Sequence, residues 1–371
     1  MPPVSNDTTT DASSRAARFA AAAPGARRML GHDVRTPSEA LNAAAESVDP
    51  TADWDRYGEG GLISELESRV ASLLGKPAVA FFPSGVMAQQ AALRCWTDRS
   101  GSRRVAIPDL SHLLRHELDG PALLHDLRYE RLGTGRQLPT VEHLDAIPGR
   151  LGAALLELPL REAGFVLPSF TELAAFSARC RDREVPLHLD GARLWESTPH
   201  LGASLAEVSA LADSVYVSFY KGLGAFAGAA LAGPEDFVAE ARQWRRRLGG
   251  TLYGMTAYAA SALAGLDEHL PRMAEYHDRA VEIAALLDER GVRVIPDPPH
   301  TRDFVIYAAG DPETLNENVI GVLERDRVLT VRGWMSADVP GWSWTEISVG
   351  SATMQWTARE VADVIGSVIP G

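Results

Sequence analysis

His188-Leu189-Asp190-Gly191-Ala192-Arg193-Leu194-Trp195 and Ser218-Phe219-Tyr220-Lys221-Gly222-Leu223-Gly224-Ala225 are the two stretches whose reading decides the fold. An apolar run at 186–189 leads straight into Asp190, and a second at 214–219 stops just before Lys221. A short apolar run that ends on a charge reads as a strand buried on both faces, with the charge at its carboxyl end. Working outward, Leu62, Leu66, Val70 and Leu74 form a single helical stripe, and Gly75 stops it. The run 78–82 is a strand, Pro83-Ser84-Gly85 breaks it, and a helix follows over 87–96. Further strands are expected at 105–107, 153–158 and 227–232, with a helix over 170–181. Short apolar strands alternating with helices predict an α/β fold, a mostly parallel sheet covered on both faces. Past 265 the pattern changes: a long amphipathic helix over 272–290 leads to short strands at 292–295, 304–307 and 347–349. The expected organisation is an N-terminal tail or arm over 1–55, a large domain over 56–265 and a small C-terminal α+β domain over 266–371.

Composition excludes several classes. The 371 residues are 46% apolar and 23% charged, enough to bury a core without disulfides. A net charge of −13 disfavours nonspecific binding to nucleic acid or an anionic membrane. No apolar run approaches the ~20 residues of a membrane span. Cys95 and Cys180 are the only cysteines, which excludes a disulfide framework and a cysteine zinc site and fits a reducing cytoplasm. The first 25 or so residues, rich in Ala, Ser, Thr and Asp, read as a mobile tail. Asp7 and Asp11 argue against a transit peptide there. No Gly-x-Gly-x-x-Gly follows the first strand, so a nicotinamide dehydrogenase is set aside.

In an open α/β sheet, ligands bind beyond the carboxyl ends of the strands, where Ser84-Gly85, Asp190 and Lys221 stand. Singly, each has an ordinary role: a turn, a helix cap, a solvated lysine. Together they meet the needs of one cofactor, pyridoxal phosphate. Ser84, Gly85 and the amides that follow place a helix N-terminus where a phosphate binds. Asp190 would keep a pyridine nitrogen protonated, and Lys221 would form a Schiff base with an aldehyde. His112, just after a strand in Pro108-Asp109-Leu110-Ser111-His112, is placed to stack on the ring.

Tyr57-Gly58-Glu59, Glu65 with Glu67-Ser68-Arg69-Val70, and Phe82-Pro83-Ser84-Gly85-Val86-Met87-Ala88 resemble the threonine aldolase family. So do the Asp190-Gly191-Ala192-Arg193 and Lys221-Gly222-Leu223-Gly224 stretches and Arg246-Arg247-Leu248-Gly249-Gly250. The resemblance covers about 57–290. It implies the aspartate aminotransferase fold (fold type I of the pyridoxal-phosphate enzymes), a homo-oligomer, and cleavage of a β-hydroxy-α-amino acid into glycine and an aldehyde. It makes Lys221 the Schiff-base lysine, Asp190 the pyridinium partner and His112 the stacking residue. Gly85 and Val86 match the phosphate turn, and Arg193 matches an arginine near the cofactor and the substrate carboxylate.

The departures bear on the reaction. The turn threonine is Val86 and the serine before the lysine is Tyr220, with Ser218 a candidate to compensate. The family arginine that reaches a neighbouring subunit's phosphate falls on Tyr253, which leaves Arg245, Arg246 and Arg247 as alternatives. The late carboxylate arginine has no match, and Arg332 is the replacement candidate. The family histidine that handles the β-hydroxyl proton falls on Leu160, so the base must be His112, a water, His116 or His125. The expected activity is an aldolase-type lyase. The alternatives are β-elimination, for which Lys221 could take the α-proton, a transaldolase step in a biosynthetic pathway, and a non-catalytic cofactor-binding homologue.

Overall fold

The structure, a computed structural model, describes residues 7–370, with side chains from Arg15 onward. It resolves into two compact units. One is Arg35–Ala274; the other takes the chain up to Val34 together with everything from Glu275 on.

The larger unit is built on seven strands: β1 (Ala78–Phe82), β2 (Arg104–Pro108), β3 (Arg128–Leu132), β4 (Ala153–Glu157), β5 (Leu187–Gly191), β6 (Ser214–Ser218) and β7 (Ala229–Gly233). Their order across the sheet is β1-β7-β6-β5-β4-β2-β3. β7 runs antiparallel to both β1 and β6, and every other neighbouring pair is parallel. β4 to β7 are buried at every position, which is why their sequences read as unbroken apolar runs. β3 was not visible in that way. It is an edge strand, Arg-Tyr-Glu-Arg-Leu, whose charges keep an exposed edge soluble.

The free edge of β1 is covered by side chains. Glu67 Oε1 accepts from the Phe81 amide at 2.7 Å, Arg242 donates to the Val79 carbonyl at 2.7 Å, and Arg245 to the Phe81 carbonyl at 2.6 Å. Arg242 and Glu67 also pair through two bonds of 3.0 and 2.6 Å. The helix Gly61–Leu74 that carries Glu67 buries Leu62, Leu66, Val70 and Leu74 and ends on Gly75 at φ 60°.

A buried polar string ties the helix Gly85–Ser100 to the sheet. Trp96 Nε1 donates to Ser214 Oγ at 2.7 Å, and His188 contacts Ser214 Oγ through Nδ1 at 2.8 Å and Gln89 Oε1 through Nε2 at 2.7 Å. An amide oxygen only accepts, so Nε2 carries the hydrogen and Nδ1 takes the Ser214 hydroxyl proton. Burial drives the His188 pKa down to about 3, so the ring is neutral and both of its nitrogens are paired.

The smaller unit holds an antiparallel sheet of β8 (Arg293–Ile295), β9 (Asp303–Ala309), β10 (Met335–Ser336) and β11 (Trp342–Ser348), in the order β10-β11-β9-β8. β11 alternates buried and half-buried positions, with Trp342 and Trp344 on the half-buried face, while Trp334 is buried in the core. The N-terminal reading needs correction. Asp7–Ala22, expected as a mobile tail, is a helix, and Arg18 pairs with Glu317 and Glu324 of the helix Pro312–Asp326. Ala, which dominates the stretch, is the best helix former, and composition alone did not reveal a partner surface. Residues 1–6 of the expected tail lie outside the described residues. No helix among the described residues is long and apolar enough to cross a membrane.

Ser214→Ala should lower stability by about 2–6 kcal/mol, because it leaves the Trp96 N–H and His188 Nδ1 buried without partners at roughly 1–3 kcal/mol each. Chemical denaturation measures this, and an unchanged midpoint would show that the string does not hold the helix.

Candidate active site

β1 and β6 both oppose β7, so β1, β2, β4, β5 and β6 all deliver their carboxyl ends to one edge of the sheet. After β1, the chain turns at Ser84 into the helix Gly85–Ser100. Ser84 stands at the cap position in extended conformation, and its side chain caps nothing. The first-turn amides of Gly85, Val86 and Met87 are therefore left for another acceptor. Glycine is required at 85, since a Cβ there would lie 2.1 Å from the Tyr216 hydroxyl of β6. Val86 is exposed on this turn.

Neighbouring strand ends carry the ionisable groups. Strand register sets Asp190 of β5 beside Glu157 of β4 on one side and Tyr216 of β6 on the other. Asp190 is buried, and its Oδ1 accepts the Ala192 amide at 3.1 Å. Burial raises its pKa, and the Lys221 ammonium pulls it back. Lys221 follows β6 by three residues. Burial lowers its pKa, the Arg193 guanidinium lowers it further, and Asp190 and Glu157 oppose both. Its amine makes no hydrogen bond among the described residues. A lysine held toward its neutral form is a nucleophile for an aldehyde.

His112 opens the segment after β2. Its amide donates to Glu157 Oε2 at 2.8 Å, and its Nδ1 is 3.3 Å from Glu117 Oε1. Arg193 lies 5.0 Å over the Phe165 ring and 3.9 Å from Glu196 Oε2. Glu196 is buried and packs where a Cβ on Gly222 would sit. Ser218 is buried at the end of β6, where its carbonyl accepts Trp195 Nε1 at 2.8 Å. Arg332 belongs to the smaller unit, exposed on the loop before β10, where its charge adds to burial in lowering the pKa of Arg28.

Three residues emerge differently from their sequence reading. Glu157 had no assigned role. It is buried, and its two oxygens accept the amides of His112 and of Arg161, at 2.8 and 3.2 Å. A glutamate closing an otherwise apolar strand was the one available signal. Arg245, a candidate for an intersubunit contact, is buried and committed to the Phe81 carbonyl. His125, a candidate base, is buried against Trp244 with ring centroids 5.5 Å apart. It precedes β3, at the amino edge of the sheet, so it is not part of this site.

Comparison with known proteins gives one picture. The model of a family described as "Beta-eliminating lyase" matches residues 29–311. A low specificity L-threonine aldolase of Escherichia coli is 29% identical over 272 residues, covering 71% of this chain and 79% of that protein. A low-specificity L-threonine aldolase of Candida albicans is 29% identical over 247 residues, with 64% of this chain and 66% of that protein covered. A Listeria monocytogenes structure assigned as an L-allo-threonine aldolase superposes with a TM-score of 0.89 at 36% identity, covering 96% of this chain and 99% of that one.

Burial and then the neighbouring Asp190 push the Glu157 carboxyl up to about 7. The folded chain therefore keeps a proton that the unfolded chain gives up in the ordinary carboxylate range, and stability falls as pH rises from about 4.5 to about 7. Glu157→Gln should flatten part of that slope in cofactor-free protein, leaving the share due to Asp190. Denaturation midpoints across this window test it, and an unaltered slope would mean that Glu157 is ionised throughout.

Proposed function

The chain belongs to the beta-eliminating lyase family of pyridoxal-phosphate enzymes, and from that premise we propose that it cleaves or forms the Cα–Cβ bond of a β-hydroxy-α-amino acid, with glycine and an aldehyde as the other side of the equilibrium. The observation that carries this reading is the pairing of a depressed lysine, Lys221, with a buried carboxylate, Asp190, on adjacent strand ends.

The residues at the carboxyl edge fit the cofactor. Lys221 would hold its aldehyde, Asp190 its pyridine nitrogen and His112 its ring face. The uncapped amides of Gly85, Val86 and Met87 would hold its phosphate. Bound there, pyridoxal phosphate supplies a sink for the electron pair of a bond broken at Cα. Arg193, fixed over Phe165 and beside Glu196, is positioned to orient a substrate carboxylate, since a planar guanidinium matches that group. Arg332 is the second candidate for that carboxylate. Ser218 is proposed as a further cofactor contact in place of the hydroxyl lost at Tyr220.

A homo-oligomer is part of this reading. Trp54, Tyr57 and Tyr253 of the larger unit are 76%, 57% and 68% exposed, and Leu118 and Leu123 are 92% and 79% exposed. Aromatic and leucine side chains left in water at this level are the composition of an interface. Two buried free thiols support a cytoplasmic setting.

Protein supplied with pyridoxal phosphate should release glycine and acetaldehyde from threonine or allo-threonine. Keto acid and ammonia in their place would identify β-elimination, and no turnover of any amino acid would favour a non-catalytic homologue. Lys221→Ala should abolish borohydride-fixed cofactor, and its persistence would remove Lys221 from the site. Asp190→Asn should slow turnover by at least about 10²-fold, the size of a lost electrostatic contact at the reacting group. Light scattering should give a mass well above that of one chain, and a fully active species of 40.0 kDa would contradict the oligomer.

A further inference from the structure

We propose that His116 is the proton acceptor for the substrate's β-hydroxyl and that Glu162 is its positioning residue. The inference rests on the aldolase reading above. Breaking Cα–Cβ in a β-hydroxy amino acid turns the hydroxyl into a carbonyl, which requires a base at the hydroxyl.

His116 Nε2 lies 2.9 Å from Glu162 Oε1. A carboxylate oxygen only accepts, so Nε2 carries the hydrogen and Nδ1 carries the lone pair. No described residue takes that lone pair. The ring is 43% exposed, so Nδ1 is open to an incoming group, and its centroid is 5.0 Å from that of His112. The same Glu162 oxygen accepts Arg161 Nη1 at 2.6 Å, which fixes the carboxylate in place.

Both partners are set by one anchor. The turn that carries Glu162 follows β4; the Leu160 amide donates to Val166 at 2.9 Å, and Leu160 and Phe165 are buried beneath it. The segment that carries His116 follows β2, and the His116 amide donates to the His112 carbonyl at 2.9 Å. Glu157 takes the head amide of each segment, Arg161 on one oxygen and His112 on the other. The charged or titratable groups facing His116 are thus Glu162 and, behind it, Arg161, and His112 with Glu117 and Glu157 behind it. The hydroxyl proton passes to His116 Nδ1, the O–H bonding pair becomes the second bond of the aldehyde carbonyl, and the Cα–Cβ pair stays at Cα. Protonation of Cα then completes glycine, so one proton has moved from oxygen to carbon and no oxidant is needed.

The test uses holoenzyme and a partial reaction that has no β-hydroxyl, exchange of the glycine α-proton in D2O. His116→Gln should lose at least about 100-fold in kcat for cleavage, while glycine exchange and cofactor affinity stay within about twofold. Glu162→Leu should lose less, about tenfold, and should release the His116 ring from the Nε2–H tautomer, as read in 15N-histidine NMR spectra of the cofactor-free protein. Cleavage by His116→Gln within about threefold of wild type overturns the base. An equal loss of cleavage and exchange makes His116 structural and also overturns it. An unchanged His116 tautomer in Glu162→Leu overturns the positioning role. Failure of the aldolase reading looks different: wild-type holoenzyme would then exchange glycine yet cleave no β-hydroxy amino acid.

Discussion

Two carboxyls and one amine are crowded into a desolvated sheet edge, and the rest of the larger unit is arranged to make that possible. Burial penalises the charged form of Glu157, Asp190 and Lys221 alike. Asp190 and Lys221 tolerate it because each lowers the cost of the other's charge. Glu157 keeps its proton up to about pH 7, and two backbone N–H groups offset only part of the rise in its pKa. The parallel register of β4, β5 and β6 brings these ends together, and the packed strands beneath keep water out. A pair of ionisable groups tuned against each other in this way is what a reaction at Cα needs: an amine that is neutral often enough to react and an acid that stays close to it.

Much of this was legible in the sequence because the signals were local. Strands buried on both faces write themselves as apolar runs, and Asp190 and Lys221 each interrupt such a run at its end. Gly85 follows a strand within three residues. The parts that were not legible depend on partners far away along the chain. Glu157 is made important by the amide of His112, 45 residues earlier. His116 gains its character from Glu162, 46 residues later, and His125 loses its candidacy because the chain has crossed to the other edge of the sheet by that point. Arg245 looked like its neighbours Arg246 and Arg247, but one turn of helix decides that it alone faces the Phe81 carbonyl. The N-terminal helix was missed because its composition fits a tail as well as it fits a helix whose partner lies about 300 residues away.

The turn after β4 shows how a site can be rebuilt around one changed residue. Leu160 is apolar and buried, so this position contributes packing. Two residues later Glu162 faces the other way and meets His116 from a different strand connection. Moving a proton-handling group from one loop to another keeps the sheet and the Lys221–Asp190 pair unaltered. It changes only which loop offers the base.

The covered edge of β1 has a further consequence, for how copies of this chain can meet. Sheets most easily associate by adding one edge strand to another, and such growth is open-ended. Here the outward amide and carbonyls of β1 are already occupied by Glu67, Arg242 and Arg245. A neighbouring chain cannot extend the sheet from that side without first stripping away two guanidinium groups. At the opposite edge, β3 presents Arg128, Glu130 and Arg131. Any association of copies is thereby left to helical and loop surfaces, where shape decides the fit and symmetry can close. Removing the Glu67 carboxylate would loosen this guard and expose a templating edge, so self-association of such a chain should proceed through β1 into filaments and not into larger closed rings.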